Sequence, residues 1–226
     1  VKTGKPVVLL LFTGRPLDLT WESANVPAIL NVWFGGSETG DAVADVLFGK
    51  VSPSGQLPTT FPRSVGQMPL YYSQMATGRP DGDPNTFNRY ASNYIDCPND
   101  GLYPFGFGLS YTTFEYGEMK LSSETMPKGG TINVTVPVKN TGNCDAAETV
   151  QLYIRDKYAD IARPVKELKG FSRIFLKKGE SRDVTFTISA DELKYYNADL
   201  VYKYDAGEFE VMVGPNSRDV QVQTFV

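Results

Sequence analysis

From about residue 114 onward the chain alternates apolar and polar residues with a period of two, and this constrains the fold more than anything else in it. Ile132, Val134, Val136 and Val138 alternate with Thr131, Asn133, Thr135 and Lys139. Val150, Leu152 and Ile154 alternate with Gln151 and Tyr153; Val184, Phe186 and Ile188, then Phe209, Val211 and Val213, repeat the pattern. Successive side chains of a strand point to opposite faces, so each segment reads as a half-buried strand with one polar face. Turn-forming clusters, Asn140-Thr141-Gly142-Asn143 and Lys177-Lys178-Gly179-Glu180, separate the strands. At least seven short strands over this stretch predict a β-sandwich of immunoglobulin or fibronectin type III kind. The Cys–Trp–Cys core of an antibody-like domain is absent.

The opening stretch follows a different rule. Val7 to Phe12 and Ala28 to Phe34 are short continuous apolar runs, the pattern of parallel strands buried on both faces. Leu17 to Ala24 between them reads as a short helix or turn. Ala42, Val43, Val46 and Leu47 lie at helical spacing within Glu38 to Phe48, and Gly49 is placed to end that helix as a left-handed cap. Strand–helix–strand–helix order predicts an α/β domain. Two strands and one well-marked helix are about a third of a doubly wound domain, so the domain is expected to be partial. The first residues, Val1 to Pro6, lead at once into a strand and read as a chain begun inside a domain; a trimmed N-terminus would look similar. Residues 50–110 are rich in Pro, Gly, Tyr and Asn, and their many aromatics argue against disorder, so 71–113 read as an ordered connector. The expected division is 1–70 for the C-terminal part of an α/β sandwich domain, 71–113 for the connector and 114–226 for the β-sandwich.

Composition narrows the chemistry. The 226 residues contain no histidine, which excludes Ser-His-Asp and Cys-His catalysis and any His-based zinc site within them. Carboxylates remain as acid/base groups, with Tyr and Lys behind them. A net charge of −4 argues against nucleic acid as a partner, and no apolar run approaches the roughly 20 residues of a membrane helix. Cys97 and Cys144 make no disulfide framework, and two free thiols are expected.

Several motifs occur in a fixed order: Gly4-Lys5-Pro6-Val7-Val8 leading to Gly14-Arg15-Pro16-Leu17; Trp33-Phe34-Gly35-Gly36 with Glu38 and Gly40; Ala44-Asp45-Val46-Leu47-Phe48-Gly49; Pro53-Ser54-Gly55-Gln56-Leu57-Pro58 running into Phe61 to Gln67; Tyr103-Pro104-Phe105-Gly106-Phe107-Gly108-Leu109-Ser110-Tyr111-Thr112; and Arg163 to Phe171. As an ordered set covering essentially the whole chain, they resemble the C-terminal region of family 3 glycoside hydrolases of the periplasmic β-glucosidase type. The resemblance implies a partial α/β sandwich domain followed by a fibronectin type III-like domain, both preceded by an N-terminal TIM barrel. It implies retaining hydrolysis of β-glucosides and short oligosaccharides by an exo-glycosidase, without cofactor or metal and in the periplasm or outside the cell. It also leaves room for a homodimer. One carboxylate attacks the sugar and a second carboxyl group protonates the leaving oxygen. The family's nucleophile is an Asp on the barrel, and its acid/base is a Glu on a loop upstream of the segment like Gly4-Lys5-Pro6. Neither role transfers to a residue of this chain, which is therefore expected to be inactive alone.

Some residues invite a role of their own. Glu38, behind the Gly35-Gly36 turn, reads as an acid that offsets the helix dipole and caps free N–H groups in preference to a catalytic carboxylate. Gly35-Gly36 reads as a tight turn in preference to an anion cradle. Trp33 could stack on a sugar, although a Trp in an apolar run commonly belongs to a core. Arg79 and Arg89, on the aromatic loop, could reach the substrate rim of a complete enzyme or pin the connector to another domain or subunit. Asp81 and Asp83 resemble half a calcium loop, but the full pattern is absent and a solvated turn is favoured. The sequon at Asn133 falls in mid-strand and reads as incidental. A separate reading makes the chain a non-catalytic carbohydrate-binding or adhesion module, for which an exposed row of aromatics on the sandwich would be the sign. A third gives the sandwich a scaffold role, stabilising the enzyme or its dimer.

Overall fold

The structure is a computed structural model that describes residues 1–80 and 88–226. The chain forms two compact units whose segments interleave. The first comprises residues 1–51, 58–71 and 79–104; the second comprises 52–57, 72–78 and 105–226. The chain combines α/β structure with a β-sandwich.

In the first unit, strand β1 (Val8–Leu11) and strand β2 (Ala28–Asn31) pair in parallel, from Val8 opposite Ala28 to Leu11 opposite Asn31. One further bond, Val32 N–H to the Leu11 carbonyl at 2.8 Å, closes the ladder. Helix α1 (Thr20–Asn25) lies between them in sequence, and helix α2 (Thr39–Leu47) follows β2. Past the end of α2, Lys50 N–H bonds the Asp45 carbonyl and Gly49 N–H bonds the Val46 carbonyl, with Gly49 at φ 74°. This is the paired closure that a left-handed glycine permits, as the sequence anticipates. The burial of β1 and β2 departs from expectation. Neither strand contains a buried residue, and their sheet has no third strand among the described residues. The second strand also ends at Asn31 rather than Phe34, where Trp33 turns to φ 58°.

The second unit holds two four-stranded antiparallel sheets. One runs β12 (Gln221–Phe225), β11 (Phe209–Gly214), β6 (Ala146–Asp156), β7 (Glu167–Leu176). In the other, β5 (Thr131–Asn140) pairs with β3 (Phe114–Tyr116), β4 (Lys120–Leu121) and β8 (Ser181–Ser189). The alternation foretold for β5 is complete: Ile132, Val134, Val136 and Val138 are fully buried and share a core with Val150, Leu152, Val184, Ile188, Val211 and Val213. Helix α3 (Ala190–Leu193), opened by a Ser189/Glu192 capping box, leads to a small hairpin of β9 (Tyr195–Tyr196) and β10 (Tyr202–Lys203).

Strand β6 contradicts the expectation of one polar face per strand. Gln151 is 3% exposed and Tyr153 0%, because the 72–78 and 105–108 segments cover that face. The Tyr72 ring stacks on Phe105 at 4.2 Å and meets Tyr153 edge-on at 5.8 Å. The Gln151 amide donates to the Gly106 carbonyl at 3.0 Å and the Pro215 carbonyl at 2.7 Å. A buried amide so satisfied costs little. Cys97 and Cys144 are free thiols. No helix among the described residues is long and apolar enough to cross a membrane.

Candidate functional site

The residues of greatest functional interest cluster in the first unit, just beyond the C-terminal end of β2. Parallel α/β sheets bind ligands at the carboxyl ends of their strands. Asn31, the last residue of β2, has both its amide nitrogen and its amide oxygen buried without a partner among the described residues. It is the one polar residue in the run Ala28 to Phe34, and that interruption was the signal for it in the sequence. A separate cavity of about 520 Å³ is lined by Leu30, Val32, Gly35, Gly36, Glu38 and Val43 among others; Asn31, whose side chain alternates to the other face of the strand, does not line it.

Trp33 is half-buried and held at φ 58°, a conformation sparsely populated by bulky residues that neighbours must enforce. Its ring meets Phe61 edge-on at 6.0 Å, and Phe61 in turn meets Tyr103 at 6.4 Å. The Tyr103 hydroxyl donates to Ser23 Oγ at 2.8 Å, tying the cluster to α1. Phe61 is fully buried, so the reading of Trp33 as packing is observed on its Phe61 edge.

The stretch after Phe61 is ordered by a side-chain clamp. Gln67, fully buried, accepts from Arg63 N–H at 2.6 Å and donates to the Pro98 carbonyl at 2.7 Å. Arg63 makes a two-pronged pair with Asp100, at 3.0 and 3.3 Å. This planar fork on a carboxylate is the geometry that makes Arg distinct from Lys. The clamp gives a physical reason for the Phe61 to Gln67 motif, which the sequence marks without explaining.

Arg79 and Arg89 are exposed. The Arg79 carbonyl accepts from Ser92 N–H at 2.9 Å, and the Arg89 guanidinium lies over the Tyr90 ring at 5.4 Å. The ring contacts of Trp33 and Arg89 fall on different residues, so the two do not share a described cluster. Asp81 and Asp83, and the half calcium loop they suggest, lie outside the described residues. Among the described residues no group of three His, Cys, Asp or Glu is placed to hold a metal ion.

Glu38 corrects an expectation. It is the N-cap residue of α2 and exposed, but its side chain makes no capping bond. The Thr39 hydroxyl donates to the Gly36 carbonyl at 2.5 Å, a bond that braces the turn without capping a helical N–H. Only the dipole argument remains for Glu38.

Residues 1–111 match the model of the glycosyl hydrolase family 3 C-terminal domain, and residues 148–217 that of a fibronectin type III-like domain. The chain is 49% identical, over 99% of its length, to the periplasmic β-glucosidase of Salmonella typhimurium. The chain belongs to glycoside hydrolase family 3. Within that family it corresponds to the C-terminal region, spanning 29% of the Salmonella protein. It is also 45% identical, over 99% of its length, to a β-xylosidase of Formosa agariphila, of which it covers 30%. A crystal structure of a Listeria innocua β-glucosidase in complex with gluconolactone matches with a TM-score of 0.94 and 41% identity, over 99% of this chain and 31% of that one. Family 3 relatives of this chain thus include both glucosidases and xylosidases.

Proposed function

We propose that this chain is the C-terminal part of a longer retaining exo-glycosidase of β-glucosidase type, acting on β-glucosides and short oligosaccharides in the periplasm or outside the cell. By itself it is a structural, inactive portion. The observation that carries this reading is the surface of the α/β unit. Phe34 is 84% exposed, Phe48 87% and Phe12 61%, and the Asn31 amide is buried with no partner among the described residues. Large apolar side chains so displayed mark surfaces that another part of a protein covers. A buried amide without partners calls for a polar group from outside the described residues. The preceding sequence of a family 3 enzyme, with a barrel and the remainder of the α/β domain, would supply both. Residues 1–70 are then the end of the α/β domain, 71–113 the connector and 114–226 the sandwich.

Both catalytic carboxylates lie upstream in this reading, and Arg79, Arg89 and Trp33 belong to the substrate rim. The exposure of the two arginines and the strained backbone of Trp33 support that role. In the longer enzyme, Arg79→Ala and Arg89→Ala are expected to raise KM for a chromogenic β-glucoside by about tenfold while changing kcat less. An unchanged KM in both would remove them from the rim. The function itself is tested by hydrolysis of the same substrate, with turnover expected only when the preceding sequence is present.

A further inference from the structure

The sandwich unit carries tyrosines that its core does not use. Positions 195, 196, 202 and 204, in and just after the β9–β10 hairpin, are all Tyr. Two of them are structural. Tyr195 is 3% exposed, and its hydroxyl donates to Asp205 and accepts from Asp160 N–H. Tyr204 packs against the buried core. Tyr196 and Tyr202, directly opposite each other in the ladder, are instead 61% and 52% exposed. Their rings meet at 4.8 Å with a 34° tilt, and neither hydroxyl has a hydrogen-bond partner among the described residues. Lys194 Nζ lies 5.7 Å from the Tyr202 centroid, whereas no ring or cation other than Tyr202 stacks on Tyr196 among the described residues. Tyr196 is thus an open ring backed by a second one.

The turn that joins the two strands is ordered and strained. Asn197 Oδ1 accepts from Asp199 N–H at 3.0 Å and from Val201 N–H at 2.9 Å, and Leu200 N–H donates to the Asn197 carbonyl at 3.0 Å. Leu200 sits at φ 60°, where a bulky residue is strained and Gly or Asn is at ease. Its side chain is 80% exposed, so burial does not account for an apolar residue there. Strain of this kind is kept where an outside contact uses it.

Size and charge select the occupant. Even with Val201 included, the exposed apolar side chains of the hairpin fall short of the roughly 800 Å² per partner that a stable protein interface takes. A sugar needs only one or two aromatic faces with polar groups at their edge. Residues 190–205 hold four carboxylates, Asp191, Glu192, Asp199 and Asp205, against Lys194 and Lys203. Both lysines are engaged, Lys194 by Asp191 at 2.6 Å and Lys203 by Asp160 at 2.5 Å and Asp205 at 2.8 Å. An anionic ligand meets net repulsion there, and the place of a cation over Tyr202 is taken by Lys194. A neutral ligand with an apolar face and a hydroxyl rim fits, and a pyranose is such a ligand.

We propose that the β9–β10 hairpin is a surface site for a neutral β-linked glucan chain, with one pyranose lying on Tyr196, backed by Tyr202, and Leu200 at the rim. The choice of a β-glucan among neutral ligands rests on the reading of the chain as part of a glycosidase. The test reads binding without turnover, so it can fail while that reading stands. Native electrophoresis of the 226-residue chain would be run in gels with and without hydroxyethyl cellulose, a soluble neutral β-glucan. The expected result is retardation by the polymer, with an apparent Kd raised about tenfold in Tyr196→Ala. Leu200→Gly, which removes the side chain and relaxes the turn, is expected to weaken retardation while the thermal midpoint holds or rises. Phe171→Ala, at a 69% exposed ring on β7, is expected to leave retardation unchanged, and the circular dichroism of every variant should match the parent. No retardation of the parent would overturn the proposal, as would retardation that survives the double variant Tyr196→Ala/Tyr202→Ala. Equal loss in Phe171→Ala would overturn it too. So would a dimer of the parent, seen by sedimentation, that Tyr196→Ala dissolves, because the face would then belong to a second copy of the chain.

Discussion

Glu148 is a carboxylate in the wrong solvent. It sits on β6, 8% exposed, and its Oε1 accepts from the Tyr116 hydroxyl at 2.8 Å. Burial holds its carboxyl above the usual range, and the Tyr116 bond only partly offsets that. A pKa raised by folding means that the folded state favours the proton. The stabilisation is therefore complete below the unfolded value, about 4.3, and is lost as pH rises through the folded one. Glu148→Gln keeps an acceptor for Tyr116 and removes the titration. In urea denaturation the variant should gain stability relative to the parent as pH rises from about 4 to about 7. A constant difference over that range would show that Glu148 does not titrate between the two states. Tyr116→Phe should cost about 1–3 kcal/mol at neutral pH, because a buried carboxylate oxygen loses its donor.

Among the elements, the sandwich strands were the most legible in the sequence. The alternation of β5 maps residue for residue onto the core, because burial on one face is all that its pattern encodes. Strand β6 was misread for a related reason: Gln151 and Tyr153 look like a polar face, and periodicity cannot tell water from another layer of protein. The junction motif contained the answer in a form that local rules do not decode. Gly106, at φ 79°, lies so close to β6 that a Cβ there would stand 2.0 Å from Gln151 Oε1. Gly106→Ala should therefore destabilise the sandwich by about 2–4 kcal/mol, through backbone strain and displacement of a buried amide. Tyr72→Ala, which uncovers the same strand from the other segment, should cost about 3 kcal/mol. Denaturation of both variants against the parent checks the covering layer, and losses under about 0.5 kcal/mol would remove its structural importance. For the candidate site, Trp33, Arg79 and Arg89 were visible as residue types in suggestive segments. Asn31 was overlooked because a single Asn in an apolar run reads as a lapse in the strand, and its lack of partners is visible only in three dimensions.

At the scale of the molecule, the two units differ in how well each encloses its own apolar residues. The sandwich unit holds nearly all of the buried core, whereas in the α/β unit the buried apolar side chains among the described residues are Leu19, Phe61, Pro62 and Pro104. A parallel pair of strands with no buried residue on either face is a layer whose cover lies elsewhere. Family membership and the 29% span of the Salmonella relative fit that reading, and they support the proposal that the catalytic carboxylates belong to a part of the enzyme outside these 226 residues. The most direct test is hydrolysis of a chromogenic β-glucoside by the purified 226-residue chain at high concentration, beside the same chain with its preceding sequence restored. The expected result is turnover by the longer protein and none by the shorter, with Glu38→Gln leaving the longer protein's rate unchanged. Turnover by the 226-residue chain that disappears in Glu38→Gln would contradict the claim and place the acid/base within α2.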